Sequence, residues 1–317
     1  MKELKINKIK NLLGELQTHF NAPILILFTD PQSTIGIDYT VEAIFRKQLE
    51  GLKAKLRVPI NKKIPKIIVA VSSSGGKISC AINITKLINE NVETFEVLIL
   101  DIALEAASLF AILSDQIYGD INSKLSSFSP FAIKIDGKLY CFPSVENELF
   151  SLQTDTDNKL YILDRLYRGI GPTLISQAFR DKRVILDIIK KRYCSSVEVG
   201  ASIAAIESLF LARPNCLYDL TNIKIPGLDI VITDTKIHEI TLGLIKSLKE
   251  FSLPYNETSF FLENPNERLL CFSKNYIVVG SKENGLHCYK GDVTVTSFGK
   301  TPETKSIQHS LPYNCVF

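Results

Sequence analysis

Two short stretches carry the residue types that could do chemistry. The first is VAVSSSGGKISCAI, residues 69–82, where an apolar run ends in three serines and a glycine pair. Gly75 and Gly76 lack side chains, so they can turn with positive φ and present backbone N–H groups. Such a turn between a strand and a helix suits an anion or a developing oxyanion. It is neither a GxxxxGK[ST] phosphate loop nor a GxGxxG dinucleotide turn. The second stretch is LEAAS, residues 104–108, which again follows a buried-looking run. A residue at position 105 stands just past a strand and opens a helix, the geometry of an activated nucleophile. Here it is Glu105, with Ser108 one helical turn later. Four chemistries fit these residues. Glu105 can sit where a nucleophile would be and disable it. Ser108 can be the nucleophile, with Glu105 orienting a base. Glu105 can be a general acid/base that hydrates a double bond. Or Glu105 simply caps a helix start, where acidic residues are favoured. In the first case the carboxylate, facing the glycine amides and a helix start, is expected to be ionised and to fill the anion site itself.

The base is harder to find. His19 precedes the first strand, and no histidine follows Glu105 until His238. Lys124, Lys134 and Lys138 lie within reach by sequence, although loop lysines usually face solvent. Ser72, Ser73 and Ser74 supply hydroxyls beside the glycine pair, either for a bound peptide or for the loop's own amides. Asp30, Asp38 and Asp101 are expected to cap or terminate elements, and Asp115 to make structural hydrogen bonds.

The chain that must position these groups has 317 residues, 45% hydrophobic and 22% charged, the profile of a globular protein. A net charge of +3 demands no nucleic-acid partner, and the basic cluster FRDKRVILDIIKKRY has the spacing of a solvated helix face. Seven scattered cysteines without a CxxC pair argue for reduced thiols in a cytoplasmic protein. No zinc spacing is present and no cofactor motif, so none is expected. The N-terminal twenty residues show amphipathic helical spacing rather than a signal peptide. No apolar run is long enough to span a membrane.

Apolar runs at APILILFTD, KIIVAVSSSGG and FEVLILDIA predict buried strands. Helical spacing separates them in GIDYTVEAIFRKQLEGLKAK, KISCAINITKLINEN and LEAASLFAILSDQIYG. Alternation of this kind predicts an α/β fold of βαβ units with a mainly parallel sheet. The ends of the second and third strands are expected to be neighbours. Composition divides the chain into a core over 1–150, a mainly helical part over 151–253 with a break at Gly169–Pro172, and a short-stranded segment over 254–317. In the last, Lys-Asn and Glu-Asn-Gly turns predict hairpins.

The order of these segments resembles the serine dehydrogenase proteinase family, within the Clp protease/crotonase fold and related to signal peptide peptidase A. The resemblance runs through ILILFTD, IIVAVSSSGGKISCAINITKLI and ALEAASLFAILSDQIYGDINSKLSSFSP, roughly residues 20–132. Ser73–Gly76 matches the family's Gly-Gly turn, Ser114–Ile117 its Asp-x-Ile step, and Leu125 and Pro130 its final loop. It places Glu105 at the family's nucleophilic serine and Ser108 at a following threonine. It implies a Clp/crotonase-like core, a peptide or protein ligand and homo-oligomeric assembly. It also implies an oxyanion and binding surface at Ser74, Gly75, Gly76 and Ala106. With the serine replaced, it implies a degenerate peptidase; the alternatives are an active peptidase using Ser108 and a crotonase-like hydratase using Glu105.

Overall fold

The computed structural model describes residues 2–29, 36–59, 61–128, 132–135, 138–141, 172–194, 198–211, 216–252, 269–297, 305–309 and 313–316. Within these the chain forms two compact units: residues 1–123 with 230–317, and residues 124–229.

The first unit is built on four apolar strands. They are β1 (Ile24–Thr29), β2 (Ile64–Ser73), β3 (Val92–Ala103) and β4 (Gln116–Gly119). They pair in parallel, β1 with β2, β2 with β3 and β3 with β4. Every residue of β1 is buried, as expected of strands covered on both faces. The connections are helices: α1 (Lys2–Phe20) before β1, α2 (Tyr39–Lys55), α3 (Ile78–Asn91) and α4 (Ala106–Ile112). Asp38 caps α2, accepting from the N–H groups of Thr40 and Val41, so that expectation holds. Asp30 lies outside the described residues. Asp101 does not end its strand; it lies within β3 and pairs with Lys249 at 3.1 Å.

The fold is thus mixed α/β with a parallel central sheet, as the alternation predicted. Three local expectations need correction. The third helix was expected to run to residue 119, but α4 stops at Ile112 and Gln116–Gly119 is the strand β4. The Ser114 hydroxyl donates to the Ala111 carbonyl at 2.6 Å and so closes the helix end. Asp115 exchanges hydrogen bonds with Phe95, through its own N–H and through its carboxylate, and docks the new strand on β3.

The C-terminal segment is the second correction. Its long strands β10 (Leu269–Ser281) and β11 (Gly285–Ser297) form a hairpin, with β12 (Lys305–His309) and β13 (Tyr313–Val316) paired on β11. β10 pairs antiparallel with β1. Expected as short strands, the segment instead joins the core sheet through these long ones, and the strand order is β12-β11-β10-β1-β2-β3-β4-β9, with β9 spanning Asp229–Ile232. The third concerns Lys274–Asn275, which is no turn but lies inside β10, paired with β11 just before a register shift between Asn275 and Ile277.

One face of the sheet is covered by α1 and by the helix Thr235–Ser252. Ile9, Leu13 and Leu16 meet Ile26, Phe28, Ile68, Leu98, Leu244 and Leu248, all fully buried. Side chains of this size contribute about 1.5–3 kcal/mol each when removed from water. The other face carries α2, α3 and α4, with Phe95 and Phe110 rings 5.0 Å apart.

The second unit contains α5 (Pro172–Tyr193), α6 (Val199–Ile206), a π turn at Glu207–Leu211 and the short pair β5 (Lys124–Ser126) with β8 (Leu217–Asp219). The hairpin β6 (Ala132–Ile135) and β7 (Lys138–Cys141) also belongs to it. The helix Thr235–Ser252 is therefore α7. In α5, Arg180, Arg183, Lys190 and Lys191 are exposed while Ile185, Ile189 and Tyr193 are buried, which bears out the solvated basic face. α5 begins at Pro172, where proline is tolerated; the rest of the predicted break and the helical stretch before it lie outside the described residues.

Candidate functional site

The site begins where β2 and β3 end side by side. Ser73 pairs with Ala103, and the Leu104 N–H donates to the Ser73 carbonyl at 3.0 Å. The expected neighbourhood of the two strand ends is therefore real. Between Val71 and Ser73 the register of β2 on β3 shifts. Such irregularities bend strand ends and re-aim the residues beyond them.

Past β2 the chain turns through Gly75 at φ 111° and Gly76 at φ 132°, a conformation that favours glycine. The turn is held by hydroxyls. The Gly75 N–H donates to Ser73 Oγ at 3.2 Å, and the Ser74 N–H to Thr29 Oγ1 at 3.0 Å. Thr29 Oγ1 in turn donates to Ser73 Oγ at 2.9 Å. Of the two roles open to the serines, satisfying loop amides is the one seen for Ser73. Ser72 Oγ is buried and finds no hydrogen-bond partner among the described residues. Thr29 escaped the sequence reading because a threonine at a strand end carries no distinctive signal. Beyond the turn, Gly76 forms a parallel bridge with Ile37. The Ile37 N–H donates to the Gly75 carbonyl and the Lys77 N–H to the Ile37 carbonyl, each at 2.7 Å.

Past β3 the chain turns more sharply. The Ala107 N–H donates to the Leu104 carbonyl at 2.8 Å, which closes a β-turn with Glu105 as its second residue. Glu105 has φ 44° and ψ −110°. That is the conformation a type II′ turn normally reserves for glycine. A sharp, strained strand-to-helix turn of this kind is how a nucleophile elbow lifts one side chain off the end of a sheet.

Glu105 is exposed, whereas every residue from Ala106 to Ser114 is buried. Glu105 occupies the N-cap position of α4, but its side chain makes no capping bond to the helix. The side chain faces the glycine turn instead: a Cβ placed on Gly75 would lie 3.0 Å from both Cβ and Oε2 of Glu105. The carboxyl accepts a hydrogen bond from the Gly76 N–H. Although the residue as a whole is exposed, partial desolvation of its carboxyl pushes the pKa above the ordinary value of 4.5, and the Gly76 N–H pulls it part of the way back. The net direction is upward. One amide bond does not offset the desolvation.

Ser108 is one turn inside α4, fully buried, and its hydroxyl donates to the Ala103 carbonyl. Ala106 is fully buried directly after Glu105. Lys124 lies in the second unit and pairs with Asp219 at 3.5 Å; the side chains of Lys134 and Lys138 are outside the described residues, as is Pro130. His238 is carried by α7 to a point past the end of β4, where Nδ1 lies 2.6 Å from Asp120 Oδ2. Asp120 is itself fixed by the Asn122 N–H at 2.6 Å. This pair was invisible in sequence because 118 positions separate its members.

Among the described residues, no helix is long and apolar enough to cross a membrane. No family model and no curated protein matches the chain. Among solved structures, it is similar to a mutant of the 1510-N membrane-bound stomatin-specific protease in complex with a substrate peptide. The identity is 12% and the TM-score 0.40, over 63% of this chain and 72% of that one. A likeness of this degree speaks to neither activity nor ligand.

Proposed function

We propose that this protein is a relative of the Clp and signal-peptide-peptidase type of serine peptidase in which Glu105 stands in the nucleophile's place. It acts by binding a peptide or protein segment rather than by cleaving one. The supporting observation is the pairing of a positive-φ elbow at Glu105 with a hydrogen bond from Gly76 to its carboxyl. In a working peptidase the elbow would carry a hydroxyl, and the glycine amide would face the substrate oxyanion. A carboxylate has no hydroxyl proton to surrender to a base, and here it takes the amide for itself. Ser74, Gly75, Gly76 and Ala106 form the binding surface in this reading. It requires neither metal nor organic cofactor, and it includes the homo-oligomeric assembly and cytoplasmic setting expected above.

A fluorophosphonate probe tests it, because the probe labels activated serines. Wild-type protein is expected to remain unlabelled. Labelling that is lost in Ser108→Ala would overturn the proposal and make Ser108 the nucleophile. A second reading draws on the raised pKa of Glu105: such a carboxyl is suited to general acid/base work. Turnover of an enoyl thioester that disappears in Glu105→Gln would establish a hydratase in place of the binding role.

A further inference from the structure

We infer that the exposed basic row of α5 is a docking surface for an acidic, partly apolar segment of a partner protein. The row lies wholly on one helix of the second unit and does not depend on the part played by Glu105.

In α5, Arg180, Arg183, Asp187 and Lys190 fall at intervals of three, four and three, which stacks them along one face of a helix. All four are exposed, as is Lys191 beside Lys190. Arg183, Lys190 and Lys191 form no ion pair among the described residues. Arg180 acts on the adjacent Asp181, whose carboxyl pKa is raised by burial and drawn part of the way back by that guanidinium. The helix dipole favours cations in the last turn, where Lys190, Lys191 and Arg192 stand. It does not account for Arg180 and Arg183, which lie in the middle of the helix.

The order of signs along the row selects the partner. It runs cation, cation, anion, cation. A phosphodiester backbone or an anionic bilayer is negative throughout and meets repulsion at Asp187. A polypeptide varies its side chains position by position. It can set carboxylates against Arg180, Arg183 and Lys190 and a neutral or basic residue against Asp187, the complementarity that fixes register between partners. The two guanidinium groups suit carboxylates in particular, because their planar forks match that geometry.

The shape of the surface adds the apolar requirement. A cavity of about 580 Å³ lies against the row, lined by Phe179 and Leu186 together with Arg180, Arg183, Asp187 and Lys190. Phe179 is a large apolar side chain left exposed. Clefts that receive ligands run to roughly 300–1,000 Å³ and pair an apolar lining with a few polar groups. Apolar side chains of a partner segment fill such a cleft while its acids meet the basic row, as an amphipathic helix does in a groove.

The test uses the full chain and fluorescein-labelled peptides of about twelve residues, enough as a helix to span the row at 1.5 Å per residue. One pool is a random mixture of leucine, alanine and glutamate, and the other has glutamine in place of glutamate. By fluorescence polarisation the glutamate pool is expected to bind about tenfold more tightly, as a few exposed ion pairs allow. Its binding is expected to weaken as salt is raised. The double variant Arg183→Glu/Lys190→Glu is expected to abolish the preference with an unchanged circular dichroism spectrum. Asp187→Lys is expected to strengthen it, a gain that a damaged fold would not give. Equal binding of the two pools, binding of neither, or a preference that survives the double variant would overturn the inference. Binding of a short single-stranded RNA or of phosphatidylserine vesicles in place of the glutamate pool would also overturn it, by assigning the row to phosphate.

Discussion

At the scale of single residues, Glu105 pays for its position in backbone strain. Its φ of 44° belongs to glycine, and a non-glycine residue held in such a region costs on the order of 1–3 kcal/mol. Glycine at this position would relieve that strain, while the added freedom of the unfolded chain returns about 0.4–1 kcal/mol. Glu105→Gly is therefore expected to stabilise the protein by about 1 kcal/mol in urea unfolding, although it removes the carboxyl from Gly76. A loss of stability would show that the carboxyl contact outweighs the strain. Sequence spacing alone was enough to place Glu105 at a strand-to-helix junction. The positive φ was not legible, because nothing in LEAAS favours it: neither glutamate nor alanine asks for a left-handed turn.

At the scale of elements, the site depends on two strand ends locked together. Ser73 bonds the loop amide of Gly75, Thr29 bonds that of Ser74, and Ile37 brackets Gly76. Gly76 has no room for a side chain, since a Cβ there would fall 2.2 Å from the Ile37 nitrogen. Its φ of 132° adds strain for any other residue. Gly76→Ala is expected to cost about 3 kcal/mol or more, read as a lowered urea midpoint at unchanged slope. An unchanged midpoint would mean that the turn is not held as described. The strands themselves were legible from their apolar runs. The end of α4 was not. Small and apolar residues run through LFAILSDQIYG without a break in pattern, and only the Ser114 hydroxyl and the Asp115–Phe95 exchange mark where helix gives way to strand.

At the scale of the whole molecule, chain order is a poor guide to neighbourhood. β10 lies beside β1 although most of the chain separates them, and α7 packs on α1 in the same core cluster. Composition suggested three successive segments, because a window of sequence sees only local change. Long-range pairing instead returns residues 230–317 to the first unit. The same blindness hid the Asp120–His238 pair.

The central claim concerns one hydrogen bond, from the Gly76 N–H to the Glu105 carboxyl. A carboxyl whose pKa is raised in the folded state holds its proton more tightly folded than unfolded. The stability it contributes is present below the unfolded value of 4.5 and is lost as pH rises through the higher folded value. The amide proton of Gly76 reports that titration directly. In a pH series of amide nuclear magnetic resonance spectra, its shift is expected to move with a midpoint above 4.5, and to stay flat in Glu105→Gln. A Gly76 amide that does not titrate in the wild type, or that titrates equally in the variant, would contradict the account.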